Sequence, residues 1–417
     1  MADIGILAAV ILAYALVSGR LKGTVVTAPM VFVLAGLALG PAGVGAVSFD
    51  LESEVVLGIA EITLVVLLFT DASRIDLGVL RRNKAMPTRL LVIGLPLTIV
   101  AGLALALALL PGLEFWEAAI LAAVLAPTDA ALGQAVVENK AIPQRIRQAL
   151  NVESGLNDGL SVPFLTVFIA LAEREEGLDA PSFFIRFTLE QIAYGALVGA
   201  VVGAVGGMLI ARAKRAGAVS GLFEQLAVVS LPIIAWAGAD AVGGNGFIAA
   251  FVGGLGAGAT LAAARPAVVN FAVDEGQLLN LTTFFIFGAA IVGPVLGDVD
   301  WRVALYAVAS LTVIRMLPVA ISLIGLRLQP ATFLFLGWFG PRGIATIVLT
   351  LVATADSELE GADTIALVAG VAVLMSVIAH GVTAAPLGRR YGRVMKEMDE
   401  DEPEMLRAPD VPTRFGG

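Results

Sequence analysis

The chain has no cysteine and only one histidine, His380, among its 417 residues. Disulfides and thiolate metal sites are therefore excluded, and so is any site built from several histidines. Charged residues are also scarce, at 15%, whereas soluble domains carry about 25%. Nucleotide-binding loops, metal-binding motifs and catalytic Ser/His pairs are missing too, which argues against an enzyme acting within the membrane.

Long apolar runs fill most of the chain, whose mean hydropathy is +0.92. A helix needs about 20 apolar residues to span a bilayer, and the sequence predicts an all-α polytopic membrane protein of about 13 transmembrane helices. The first run begins at Ile4 without a basic segment before it, so we interpret it as a retained span rather than a signal peptide. The predicted spans are 3–19, 25–46, 54–71, 88–111, 116–137, 147–172, 186–212, 220–241, 244–263, 276–297, 303–326, 331–354 and 363–386.

The positions of lysine and arginine orient these spans. Loops and span ends on one side hold 21 of the 26 basic residues, those on the other side hold 3, and Arg315 and Arg342 lie in the interior of spans. Basic loops remain cytoplasmic, so we expect a plasma (inner) membrane protein with its N-terminus outside and its C-terminus in the cytoplasm. Residues 1–390 would form the membrane domain, and residues 391–417 an acidic, disordered cytoplasmic tail. No nucleic-acid partner is expected of a chain with net charge -9.

Two predicted spans carry a proline beside a charge near mid-depth: Leu125-Ala-Pro-Thr-Asp129 in the fifth, and Gly337-Trp-Phe-Gly-Pro-Arg-Gly343 in the twelfth. Proline removes a backbone hydrogen bond, so each helix should unwind there. Two broken helices seven spans apart predict an inverted repeat of spans 1–6 and 8–13, with the substrate site where the breaks cross. The alternative is a pair of simple proline kinks, which Asp129 and Arg342 make less attractive.

The sixth span places ionisable side chains at membrane depth. Such residues cost at least ~3 kcal/mol and mark transport pathways or proton relays. Glu153 and Asn157 share one helix face, while Asp158 is turned about 100° from Asn157 and can face a cavity.

Oxygen ligands should surround this cavity. Asp129 and Asp158 reach similar depth from opposite directions, and the hydroxyls of Thr128 and Ser154 lie near them in sequence. Together with freed carbonyls, these groups predict a cage for a hard monovalent cation. A carboxylate removed from water holds a proton more readily, so one that binds either a proton or a cation would exchange one for the other. Asp71, at the end of the third span, is a further candidate ion ligand.

Glu153 needs a buried partner, because an uncompensated charge is expensive inside a membrane. We favour Arg315 over Arg342 as that partner and assign Arg342 to the crossing of the broken helices. Under the alternative interpretation these charges, together with Asn157, only lock helices together. We interpret His380 as a helix-packing residue.

At Pro127-Thr-Asp129, Glu153-Ser-Gly-Leu-Asn-Asp158 and Gly340-Pro-Arg-Gly343 the chain resembles the monovalent cation/proton antiporter superfamily. It is most similar to the prokaryotic sodium/proton antiporters related to animal sodium/hydrogen exchangers. The resemblance covers residues 1–390, and it departs at Pro341, where leucine is commoner. It implies a homodimer in which a core of spans 4–6 and 11–13 moves like an elevator against a dimerisation scaffold of spans 1–3 and 7–10.

The resemblance also implies a role for most of the candidate residues. Asp158, together with Asp129, carries the exchange chemistry, and the ion pair is structural. By resemblance, the ion ligands are Asp158, Thr128, Ser154 and Asp129, and the structural ion pair is Glu153 with Arg315, steadied by Asn157. Asp71 as a further ion ligand and Arg342 as the charge at the crossing are assigned from the sequence pattern alone.

We therefore expect a secondary transporter for pH homeostasis that exchanges Na⁺ or Li⁺ for H⁺ by alternating access, without a cofactor. Family members with two aspartates at the 157–158 position are electrogenic, so Asn157 favours electroneutral exchange of one cation for one proton. A K⁺/H⁺ antiporter of the same fold is the alternative. A cation channel is another, disfavoured because no filter-like segment repeats. Flux without ATP separates a transporter from an enzyme, and a voltage-driven current separates a channel from an exchanger.

Overall fold

The computed structural model is helical throughout its regular elements in the residues that it describes. These are residues 2–21, 24–49, 54–75, 85–129, 132–137, 139–175, 181–219, 221–261, 277–355, 359–399 and 402–405. Within them, eight helices are long and apolar enough to cross a membrane, and four shorter apolar helices accompany them. Each of the thirteen predicted spans contains helix. The all-α membrane fold is confirmed, while the exact number of crossings stays a prediction.

The helices follow one another along the chain, with no strand between them in the described residues. The first half of the chain forms α1 (Ala2–Leu21), α2 (Ala28–Leu39), α3 (Glu54–Arg74), α4 (Ala85–Leu109), α5 (Phe115–Val124), α6 (Gln134–Val137) and α7 (Gln144–Glu175). The second half forms α8 (Pro181–Arg215), α9 (Leu222–Asp240), α10 (Gly246–Thr260), α11 (Gln277–Asp298), α12 (Trp301–Ser322), α13 (Pro330–Trp338), α14 (Ile344–Ala355) and α15 (Ala362–Lys396).

Two of the long helices contain a widened, π-helical stretch. In α4 it covers Leu90–Gly94, and in α11 it covers Phe287–Val292. Each stretch ends just before a proline, Pro96 and Pro294 respectively. Proline has no N–H to bond the carbonyl four residues earlier, so the preceding turn relaxes into the wider form.

Helices α3, α8, α9 and α10 pack as one group. Phe69, Ile210 and Ala257 belong to its shared apolar core. Glycines bring the backbones unusually close, because a Cβ on Gly203 of α8 would lie 2.0 Å from the carbonyl oxygen of Gly253 of α10. Small residues are the usual means of close helix packing in a membrane.

A second group, comprising α4, α5, α7 and α12–α15, surrounds the two predicted breaks. The hydroxyl of Tyr306 on α12 donates to the carbonyl of Gly102 on α4 at 3.1 Å. Helices α7 and α14 of this group also contact α3 of the first group. The division into a dimerisation scaffold and a moving core stays a prediction.

The prediction of a disordered tail from residue 391 is wrong for the part of the tail that is described. Helix α15 continues to Lys396, and Glu404 is 0% exposed. Its carboxylate accepts hydrogen bonds from the backbone N–H of Gln329 at 2.7 Å and the hydroxyl of Thr332 at 2.8 Å. The guanidinium of Arg145 donates to the carbonyl of Pro403, the residue before Glu404. These donors offset the desolvation of the Glu404 carboxylate. The acidic residues around Glu404 in the sequence give no sign that it is buried. Residues 406–417 lie outside the described part.

Candidate functional site

Two helices are interrupted at the positions that Pro127 and Pro341 indicate. Helix α5 ends at Val124 and the chain is non-helical to Asp129, while α13 ends at Trp338 and the chain is non-helical until α14 begins at Ile344. The two irregular segments touch, because the backbone N–H of Asp129 donates to the carbonyl of Pro341 at 2.7 Å. The crossing of two broken helices is therefore present, while the inverted repeat stays a prediction.

At each break, a charged side chain forms hydrogen bonds with backbone groups at a helix end. Helix ends leave unpaired backbone groups and carry partial charges, positive at the N-terminus and negative at the C-terminus. One Asp129 carboxylate oxygen accepts from the N–H of Ile344, the first residue of α14, at 3.1 Å. Arg342, which is 0% exposed, donates to the carbonyls of Ala126 and Pro127 beyond the end of α5, at 3.3 and 3.2 Å. Both charges have the sign that the helix dipole favours.

Arg342 also ties the crossing to two other helices. Its guanidinium donates to the carbonyl of Ser310 at 3.3 Å, and its backbone N–H donates to the hydroxyl of Ser376 at 2.7 Å. The Ser310 carbonyl lies beside the interruption of α12 at Thr312, where the helix bonding pattern is broken.

The contribution of α15 was not predicted. Nε2 of His380 lies 2.8 Å from the carbonyl oxygen of Trp338, the last residue of α13. Ser376 stands one turn before His380 and contacts its ring. The signal for this contact in the sequence is a serine and a histidine four residues apart on an apolar span. The sequence alone indicates only a helix-packing role for His380.

The glycines that bracket the Gly340-Pro-Arg-Gly343 motif are required by close contacts. A Cβ on Gly340 would lie 2.3 Å from Nε of Arg315. A Cβ on Gly343 would lie 1.9 Å from the carboxylate of Asp129. Any side chain at either position would displace a charged group from the crossing, since real Cβ contacts are not this short.

Glu153 and Arg315 form the predicted ion pair. Oε1 of Glu153 lies 2.5 Å from a terminal nitrogen of Arg315, and the two side chains are 2% and 3% exposed. Arg342 is near enough to interact electrostatically with both. A buried pair of this kind requires both partners, because either charge alone would be uncompensated.

A hydroxyl cluster joins the first break to α7. The Thr128 and Ser154 hydroxyl oxygens are 3.0 Å apart, and the Asn157 amide donates to Thr128 at 2.7 Å. All three side chains are buried. Our assignment of Asn157 to the ion pair is therefore corrected. The Asn157 amide bonds to Thr128 at the crossing, whereas Glu153 pairs with Arg315 on α12. The two residues share one face of α7, but their partners belong to different elements.

Asp158 follows this cluster on α7. Ser154 and Asp158 are four residues apart and so share a helix face. Asp158 is partly exposed, in contrast to the buried Asn157 beside it. The next residue, Gly159, packs against α10, since a Cβ there would lie 2.2 Å from the ring of Phe251. Asp158 therefore lies near the contact between α7 and the first helix group.

Asp71 lies across from the same part of α7. It is buried on α3, and its Cβ is 3.8 Å from the position of a Cβ on Gly155, the residue after Ser154. Its carboxylate is 3.8 Å from the guanidinium of Arg74. The structure thus brings Asp71 to the neighbourhood of the hydroxyl cluster, and its role as an ion ligand stays a prediction.

The chemistry of the site follows from its charges and ligand types. At the crossing, the carboxylates of Asp129 and Glu153 balance the guanidiniums of Arg315 and Arg342, and Asp158 adds one further negative charge. The nearby ligands are hydroxyl and carboxylate oxygens, which suit hard cations. Asp129 already accepts a hydrogen bond from α14 through one oxygen, and its role as an ion ligand stays a prediction.

Residues 6–390 match the family described as sodium/hydrogen exchanger, transmembrane. The chain belongs to this family. Its members are transporters rather than enzymes, and the chain is accordingly a membrane protein with several spans.

Several characterised proteins are similar to this family member. A K⁺/H⁺ antiporter named NhaP from Alkalimonas amylolytica is 29% identical over 416 residues, covering 97% of this chain and 69% of the relative. A K⁺/H⁺ antiporter named NhaP2 from Shewanella sp. (strain ANA-3) is 25% identical, covering 92% of this chain and 65% of the relative. The chain thus spans about two thirds of the length of these relatives.

The fold matches that of a solved antiporter. The structure of the sodium proton antiporter MjNhaP1 from Methanocaldococcus jannaschii aligns with a TM-score of 0.77 over 95% of this chain and 99% of that one. At 21% identity, the match establishes the shared fold alone.

Proposed function

We propose that this chain is a secondary transporter that exchanges a monovalent cation, Na⁺ or Li⁺, for a proton across the plasma membrane. The observation that carries the proposal is the cluster of Thr128, Ser154 and Asn157 placed one helical turn from Asp158 at the crossing of two broken helices. Membership in the sodium/hydrogen exchanger family supports it.

Asp158 is the group that alternates between the two substrates. With a cation bound, its carboxylate and the hydroxyl oxygens of Ser154 and Thr128 supply ligands. With the cation gone, an Asp158 oxygen takes the proton. The Asn157 amide holds Thr128 in place by donating to it. Because a carboxylate cannot hold both charges at once, each release of one substrate licenses binding of the other.

The charge pattern favours exchange of one cation for one proton. Asn157 is neutral, and the two carboxylates and two guanidiniums of the crossing cancel. Only Asp158 then changes its charge state during a cycle, so the loaded site has the same net charge with either substrate. Transport would be electroneutral.

Alternating access would arise from movement of α4–α7 and α12–α15 against the remaining helices. The glycine-lined contact of α7 with α10, and the contact of α3 with α7, are where such movement would occur. We further propose a homodimer with the N-terminus outside and the C-terminus in the cytoplasm, as the basic loops indicate.

A K⁺/H⁺ antiporter is the second candidate. The names of the two relatives described above specify K⁺, whereas the structural match is a sodium antiporter. Hydroxyl and carboxylate oxygens bind either ion, so ligand chemistry does not separate the two.

The test is cation-triggered dequenching of a pH dye in proteoliposomes that hold an imposed proton gradient. Wild type is compared with Asp158→Asn and with Asp240→Asn, a matched change at an exposed position at the end of α9. We expect dequenching with Na⁺ and Li⁺ for wild type and Asp240→Asn, and none for Asp158→Asn.

Other outcomes change the conclusion. A response to K⁺ alone would favour the second candidate, and no response to any cation would refute antiport. Retained activity in Asp158→Asn would remove this residue from its role. A rate that changes when the membrane potential is varied would refute electroneutral exchange.

A further inference from the structure

An apolar groove of about 380 Å³ lies between α12, α13 and α15. Nine of its ten lining residues are apolar or aromatic, and the tenth is Arg390. Leu334 and Val394, on its two walls, are 62% and 42% exposed, so the groove is open to the surroundings of the protein. A volume of several hundred Å³ is the size of known small-molecule sites.

The walls present apolar surface because their polar atoms are already bonded within the protein. The rings of Phe335 and Tyr391 stack with centroids 4.1 Å apart, and the Tyr391 hydroxyl is 2.9 Å from that of Thr332. The indole N–H of Trp338 donates to Thr383 at 2.9 Å. An occupant of the groove would therefore meet ring faces and aliphatic chains.

The groove has one cationic lining residue, Arg390, which stands between Leu387 and Val394 on α15. Arg390 lies on the last turns of α15, where Arg389, Arg393 and Lys396 are also exposed. In the described part of the chain, no carboxylate forms an ion pair with Arg390. The groove thus combines apolar walls with a positive charge that has no carboxylate partner among the described residues.

We propose that this groove binds an acyl chain of an anionic glycerophospholipid, with the lipid phosphate held by Arg390. Basic pockets between transmembrane helices on the cytoplasmic side are suited to anionic head groups, and that leaflet carries anionic lipids. The predicted orientation places the basic end of α15 on this side. The apolar groove accommodates the chain, and the guanidinium supplies the charge-assisted hydrogen bonds that phosphate accepts.

A second copy of the chain fits the groove less well. A two-fold contact centred on it would place the same patch on both partners. The exposed arginines and Lys396 of each copy would then face those of the other, and like charges repel. A lipid phosphate instead neutralises them.

Lipid in this groove would support the broken helix α13. The groove lining includes Met316, which follows Arg315 of the ion pair, and Phe339, which begins the non-helical segment of the crossing. Helices α12 and α13 are already close here, since a Cβ on Gly337 would lie 3.2 Å from Met316. Binding should therefore raise the unfolding temperature, whichever cation the protein carries.

The test is native mass spectrometry of the purified full chain in mild detergent, titrated with phosphatidylglycerol or phosphatidylcholine bearing identical acyl chains. We expect one saturable phosphatidylglycerol per protomer, bound more tightly than phosphatidylcholine. Arg390→Gln should weaken phosphatidylglycerol binding about fivefold. The matched control Arg393→Gln changes a neighbouring arginine outside the groove and should have less effect. Val394→Trp should fill the groove and remove binding of both lipids.

Several results would overturn the proposal. One is equal binding of the two lipids by wild type, and another is a preference for phosphatidylglycerol that survives Arg390→Gln. Saturable binding that Val394→Trp leaves intact would place the lipid elsewhere. No saturable binding would indicate that residues 406–417 or a second copy fill the groove. Should Val394→Trp fold poorly, the comparison of Arg390→Gln with Arg393→Gln decides alone.

Discussion

Removing the guanidinium of Arg315 tests the buried ion pair at the centre of the fold. In Arg315→Met, the carboxylate of Glu153 stays buried at 2% exposure without its partner at 2.5 Å. Methionine keeps most of the aliphatic volume, so the change is chiefly electrostatic. Breaking a buried pair from one side costs about 3–5 kcal/mol. Arg342 interacts with the same carboxylate, so we expect the lower end, about 3 kcal/mol.

Two further variants isolate this effect. Asp158→Asn neutralises a partly exposed carboxylate nearby and should lower the unfolding temperature much less. The double variant Glu153→Gln with Arg315→Met removes both charges, and replacing both members of a buried pair is often close to neutral. It should therefore be more stable than Arg315→Met alone.

The assay is thermal unfolding in detergent, followed by tryptophan fluorescence and by the fraction that stays monodisperse after heating. The prediction is an order of stability: wild type, then Asp158→Asn and the double variant, then Arg315→Met by several degrees. The reasoning about this pair is refuted if Arg315→Met and Asp158→Asn have the same unfolding temperature. It is also refuted if the unfolding temperature of the double variant is no higher than that of Arg315→Met.

Two other predictions concern the crossing and the tail. Gly343→Ala should displace the Asp129 carboxylate, because a Cβ there lies 1.9 Å from it; we expect a cost of about 1–3 kcal/mol and slower exchange in proteoliposomes, while Gly297→Ala, with nothing within 4 Å, should match wild type. Glu404→Ala removes the acceptor of the half-buried Gln329 N–H and of the buried Thr332 hydroxyl, so the free energy of unfolding should fall by about 1–3 kcal/mol. Glu402→Ala should not alter the melting temperature, and equal effects of the two tail variants would contradict the packing of Glu404.

The breaks and the ion pair could be predicted from sequence because each has a local signal. A proline removes one helix hydrogen bond; at Pro127 and Pro341 it stands beside small residues and a charge and the helix is interrupted, whereas Pro163 and Pro232 lie inside continuous helices. A buried glutamate must have a counter-charge, and only two arginines lie near the middle of predicted spans. Arg315 was therefore predictable for Glu153, and Arg342 for the crossing.

Hydrogen-bond partners that depend on distant packing could not be predicted. The carboxylate of Asp129 caps α14 across 215 residues of sequence. The amide of Asn157 bonds to Thr128 rather than supporting the ion pair one turn away. The burial of Glu404 depends on donors from α13. Each of these side chains had several acceptable partners in sequence, and the fold selected one.

The most direct test of the central claim measures how protons compete with the cation at Asp158. Initial rates of cation-driven proton efflux are measured in proteoliposomes across a series of Na⁺ concentrations and pH values. Since one carboxylate holds either substrate, the apparent KM for Na⁺ should rise about tenfold for each unit by which the pH falls in the acidic range. The maximal rate should be restored at saturating Na⁺. A KM that stays constant while the maximal rate falls with pH would contradict a single shared binding carboxylate.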